Sequence, residues 1–181
     1  MNVKRKLVGM TLASALALGT CALVAAPSGA ATPVQKCTKV VGTATLNPGL
    51  STAPKSQVIT AKANQTGCTP AKATGGTGVL TATIKLANGS CQGLLGGGQK
   101  LGGTAKTTWK NNKTSTYSLT FTTGKGSAAT VATITGKVTA GLFKGKNVTA
   151  QIKIAPASGE NCTTKPVKHI SFTNTKPFQI L

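Results

Sequence analysis

VLTATIKL, residues 79–86, alternates without a break. Leu80, Ala82, Ile84 and Leu86 fall on one side, and Val79, Thr81, Thr83 and Lys85 on the other. Successive side chains of an extended strand point to opposite faces, so this pattern describes a strand with one apolar and one wet surface. Threonine suits the wet side because its branched Cβ fits a pleated surface. VTAQIKI (148–154) repeats the arrangement, with Val148, Ala150, Ile152 and Ile154 opposed to Thr149, Gln151 and Lys153. TSTYSLTF (114–121) places Tyr117, Leu119 and Phe121 against Thr116, Ser118 and Thr120.

The same period predicts eight strands at roughly 39–46, 56–63, 78–87, 103–110, 115–122, 129–139, 146–155 and 167–173. Stretches rich in Gly, Asn and Pro separate them, among them KNNKTS and APASGENCTTKP. Short strands with regular turn signals specify an all-β fold, an antiparallel β-sandwich or barrel. GLLGGGQKLGG (93–103) reads as a flexible loop. LTATIKLANGSC and VTAQIKIAPASGENC share a pattern and each reaches a cysteine. Two strands obeying one alternation rule explain that likeness more simply than duplication does.

The first residues follow a different logic. Lys4, Arg5 and Lys6 precede an apolar run from Leu7 to Ala26, and Pro27 and small residues follow. This is the layout of a secretory signal peptide over 1–31, cut after Ala30 or Ala31, with residues 32–181 forming one secreted domain. An uncleaved membrane helix is the weaker reading, since the run is built from Ala, Gly, Ser and Thr rather than Leu and Ile.

Beyond the leader, four cysteines remain: Cys37, Cys68, Cys91 and Cys162. An even count in an exported chain of this size implies two disulfides, and no closely spaced pair suggests a metal site. Three pairings are open. The expected one is Cys68–Cys91 with Cys37–Cys162, joining neighbouring strands and then the two ends of the chain.

Charge is the most unusual property. The domain carries eighteen lysines and no arginine, against one carboxylate, Glu160, giving a formal charge of +17. Glycosidase chemistry needs two carboxylates, and a Ser-His-Asp arrangement needs an acid to orient His169. Calcium and magnesium sites need several acids. A non-enzymatic protein without metal or cofactor is therefore expected, with no small-molecule substrate implied. Glu160 reads as a loop carboxylate attracted to nearby lysines, and His169 as a surface or edge-strand residue.

So strong a positive field attracts polyanions. The expected partners are an anionic cell-wall polymer, acidic polysaccharide or an anionic lipid surface, with non-specific nucleic acid binding as a lesser option. Lysine supplies point charge without the two-pronged grip of arginine, so binding should be salt-sensitive and weakly selective. KTTWKNNKTSTY (106–117) offers the one local candidate: Lys106, Trp109, Lys110, Lys113 and Tyr117 could combine ring stacking with charge. The competing reading makes Trp109 the largest core side chain. The alternative function is a secreted cationic membrane-active or antimicrobial effector, although no Lys-rich amphipathic helix is present.

GTATLNPGLS (42–51), GTAKTTWKNNKTSTYSLTF (103–121) and GLFKG (141–145) together resemble a group of small exported actinobacterial proteins of uncharacterised function. The resemblance implies a signal peptide, a β-rich domain and a location outside the cell or on its wall. It carries no catalytic residue.

Overall fold

The computed structural model describes residues 31–125 and 130–181, so the leader reading falls outside the described residues apart from Ala31. Eight strands follow in chain order: β1 (Gln35–Leu50), β2 (Lys55–Thr69), β3 (Gly78–Gly89), β4 (Lys100–Trp109), β5 (Thr114–Thr123), β6 (Val131–Gly141), β7 (Asn147–Pro156) and β8 (Val167–Ile180). Each pairs antiparallel with the next, and β8 pairs with β1 to close a barrel. Of the two architectures the alternation allows, the chain adopts the barrel. Among the described residues all eight strands belong to this one closed sheet, whereas a β-sandwich would stack two.

Closure explains why β1 and β8 outrun their sequence signals. The end of β8 pairs with both β1 and β7: Phe178 lies opposite Cys37, and Ile180 opposite Gln35 and Val148. Residues 174–180, which carry a proline and weak alternation, become strand because two neighbours supply hydrogen-bonding edges. Two short helices sit in loops, α1 (Ala71–Thr74) and α2 (Cys91–Leu95). The glycine-rich 93–103 stretch is mostly regular, since α2 takes its start and β4 its end.

Because the strands run alternately up and down, successive loops fall at opposite ends. The lower end holds the start of β1, α1, the 110–113 and 142–146 turns and the chain terminus. The upper end holds the 51–54 loop, α2 and the 157–166 loop. This geometry overturns the expected cysteine pairing. Cys37 opens β1 at the lower end, whereas Cys162 follows β7 at the upper end. A strand of ten residues separates those ends by about 33 Å, far beyond disulfide reach. Cys68 and Cys91 are likewise at opposite ends. The bonds formed are Cys37–Cys68, between register partners on β1 and β2, and Cys91–Cys162, joining α2 to the β7–β8 loop across the upper mouth.

The middle of the interior is apolar, and buried polar side chains lie toward the ends, Gln35, Gln65 and Thr107 at the lower and Gln57 and Ser90 at the upper. Leu46, Ile59, Ile84, Leu119, Ile134, Val148, Ile152 and Ile154 are buried along the strands. The lower end is filled by the largest side chains. Trp109 packs edge-on against Phe143 with centroids 6.4 Å apart, and Tyr117 edge-on against Phe178 at 5.9 Å. Trp109 Nε1 donates to Ser115 Oγ at 2.9 Å, which satisfies the one polar atom of a buried indole. Burial pushes the Tyr117 phenol up to about 12, against the opposing pull of Thr107 and Ser115. At the upper end buried Gln57 fastens the tip of β1, donating to the Gly49 carbonyl at 2.7 Å and accepting the Gly49 N–H at 2.9 Å.

Candidate functional site

The outer wall is a field of threonine and lysine. Every lysine of the domain is exposed except Lys36, which is half-buried. In the strand register no lysine lies directly opposite another. Lys62 faces Thr43 and Thr81, Lys106 faces Thr81 and Thr116, and Lys137 faces Ser118 and Asn147. Like charges directly across a strand pair destabilise a sheet, so a chain this cationic stays folded by interleaving charge with hydroxyls. Apolar-in and polar-out is the reverse of a lipid-facing barrel, whose outer band is apolar.

The sequence-derived cluster separates along the same inside–outside division. Lys106, Lys110 and Lys113 are exposed, but Trp109 is 1% exposed and Tyr117 is fully buried. Both rings point into the barrel because Trp109 and Tyr117 share parity with the inward residues Ala105, Thr107 and Leu119. Neither ring can stack on an external ligand, so the aromatic half of that candidate is corrected to core.

Glu160 also differs from its expectation. Its partners are not lysine side chains. Oε2 accepts the backbone N–H groups of Lys168 and His169, each at 2.8 Å, and Oε1 lies 2.9 Å from His169 Nδ1. These bonds, the His169 side-chain bond first, lower the carboxyl to about 2. Among the described residues this is the one ion pair, and no lysine has an acidic partner. No three His, Cys, Asp or Glu side chains gather among the described residues.

One part of the outer wall is concave. A hollow of about 570 Å³ lies across β7, β8, β1 and β2. Two adjacent outward rows floor it: Lys153–Thr173–Val41–Asn64 and Ala155–Ser171–Thr43–Lys62. A lysine thus stands at each side, with hydroxyls and an amide between. Their backbones are three strand spacings apart, about 15 Å. Val41, 43% exposed, and Ala155 give the floor apolar surface, with Ala63 and Phe172 below. The curvature follows from local sequence: register shifts in the β1–β8 ladder fall on both sides of residues 41–45, and such irregularities bend strands. Gly42 contributes too. Its missing Cβ leaves room for the Lys62 carbonyl, the Phe172 ring and Ala63 to close in beneath.

Sequence reasoning did not find this hollow, because its members come from four strands and look individually like ordinary wet-face residues. No family model matches the chain, nor does any curated protein or solved structure.

Proposed function

We propose that this protein is a non-enzymatic cationic barrel that works outside the cell, holding anionic envelope polymers or acidic polysaccharide on its outer wall. One observation carries the reading: the lysines are uncompensated, since the sole carboxylate is occupied by backbone amides and His169. An uncompensated positive surface raises the local concentration of polyanions and accelerates their capture. The hollow between Lys62 and Lys153 is the favoured point of contact. Its two charges match a chain with repeating anionic groups, and Thr43, Ser171, Thr173 and Asn64 offer hydrogen bonds to sugar or polyol hydroxyls. Two disulfides suit an oxidising, extracellular setting and agree with the leader reading of residues 1–31.

The membrane-active alternative has less behind it. Large apolar side chains exposed among the described residues amount to Val41, Val58 and Val79, too few for an inserting face.

Co-sedimentation with an insoluble polyol-phosphate wall polymer tests the proposal, with a neutral polysaccharide as control. The protein should pellet with the first and stay in solution with the second. Lys62→Gln with Lys153→Gln should reduce pelleting severalfold more than the pair Lys85→Gln and Lys137→Gln, which removes equal charge elsewhere. Equal retention on neutral polymer would refute the electrostatic reading.

A further inference from the structure

Inward positions near the middle of the barrel are unusually small. Ala44, Ala61, Ala82 and Ala105 are successive register partners across β1, β2, β3 and β4, forming an unbroken row of methyl groups on one wall. Gly103 and Gly136 lie on the neighbouring inward row, and Ala132 and Ala150 on the opposite wall. An eight-stranded barrel is just wide enough for ordinary side chains to fill it or for one small ligand to replace them. Here the side chains do not fill it. They leave a cavity of about 110 Å³, bounded by Ala44, Ala61 and Ala82 of the alanine row, by Ala132 and Ala150, and by Leu119, Phe121, Phe172 and Phe178.

The lining presents no free polar group. Its two polar members are both engaged elsewhere. Thr123 Oγ1 accepts the Gln99 N–H at 3.0 Å. Asn174 accepts the Val40 N–H at 2.8 Å and donates to the Thr38 carbonyl at 2.9 Å. The other buried polar side chains do not line the space: Gln35, Gln65, Thr74, Thr107 and Ser115 lie toward the lower end, and Gln57 and Ser90 toward the upper. Above it, α2 supplies Leu94 as a roof, and Cys91–Cys162 holds that roof to the β7–β8 loop.

We infer that the barrel interior is a binding site for a small, uncharged, wholly apolar molecule. A benzene-sized ring or a compact alkyl group of about five or six carbons fits both its size and its chemistry. Apolar cavities of about 150 Å³ stay dry and take up benzene or xenon, because water finds no partners there and the ligand restores lost contacts. Ala44, Ala61 and Ala82 are the specificity device: they keep one wall flat, and a larger residue at any of the three would occupy the ligand's place. The site shares Ala63 and Phe172 with the underside of the outer hollow but none of its lysines.

Titration of benzene into the isotope-labelled, disulfide-intact protein, followed by NMR of the alanine methyl groups, tests the inference without any polymer present. Saturable shifts are expected at Ala61, Ala82, Ala132 and Ala150, with little change at the exposed Ala140. The Kd should be on the order of 0.1–1 mM, the affinity that burying about six apolar carbons supports. Ala82→Leu and the milder Ala132→Val should each weaken binding, the first at least tenfold, while the barrel spectrum persists. If Ala82→Leu does not fold, Ala132→Val and the wild-type titration decide. Absence of saturable shifts in the wild type would overturn the site, as would unchanged affinity in a folded filled variant.

Discussion

Glu160 holds His169 by two contacts at once, one oxygen accepting its backbone N–H at 2.8 Å and the other lying 2.9 Å from Nδ1. The same carboxylate accepts the Lys168 N–H, so it ties the β7–β8 loop to the start of β8 beside the Cys91–Cys162 bond. The only acidic side chain in the chain is therefore a structural clasp.

That clasp gives a pH signature. The Glu160 carboxyl falls from an ordinary 4.5 to about 2 on folding. Its stabilising contribution is complete above pH 4.5 and is lost as the pH falls through about 2. With no other acidic side chain in the sequence, Glu160 is the one side-chain carboxyl that thermal unfolding between pH 5 and 2 should report. The wild-type Tm should drop across that window, and Glu160→Gln should flatten the drop while lowering Tm at pH 6.

The disulfides should differ in value. Cys91–Cys162 closes the longer span, 71 residues against 31. Chain-entropy reasoning gives about 4 kcal/mol for each, with the longer loop ahead by less than about 1 kcal/mol. Denaturant unfolding of Cys91→Ser/Cys162→Ser and Cys37→Ser/Cys68→Ser checks this. Peptide mapping without reduction should recover Cys37 linked to Cys68.

Trp109 should behave as core and not as a binding residue. Its emission should be blue-shifted, resist acrylamide quenching and stay unchanged on addition of polyanion. Trp109→Ala should cost about 3–5 kcal/mol, as loss of a buried aromatic does. Trp109→Phe should fold and bind polymer like the wild type.

Gly42→Ala should disturb the hollow from below. The added methyl meets the Lys62 carbonyl and the Phe172 ring, so a loss of about 1–3 kcal/mol is expected, measured by chemical unfolding. Polymer affinity should fall with it.

Much of the barrel is legible in strands such as 79–86, where alternation assigns each residue to a face. Its closure is not, because β8 gains its last residues only from having β1 and β7 as neighbours. The cysteine pairing was open to inference from the two similar segments. Strands β3 and β7 run the same way, so the cysteines that follow them reach the same end. That reasoning requires knowing the up-and-down order, which alternation alone does not supply. Trp109 shows a similar limit: its lysine neighbours suggested a binding cluster, while its parity with Ala105 and Thr107 placed it inside. The hollow around Val41 depends on four strands and a bend, and no local pattern encodes it.

The most direct test is the affinity of the folded protein for a soluble polyol-phosphate polymer, followed from 50 to 200 mM salt. Electrostatic capture through several lysines predicts a loss of about tenfold or more over that range. The Lys62→Gln/Lys153→Gln variant should show a slope shallower by about one to two. Affinity that stays constant across the series, in wild type and variant alike, would contradict the account.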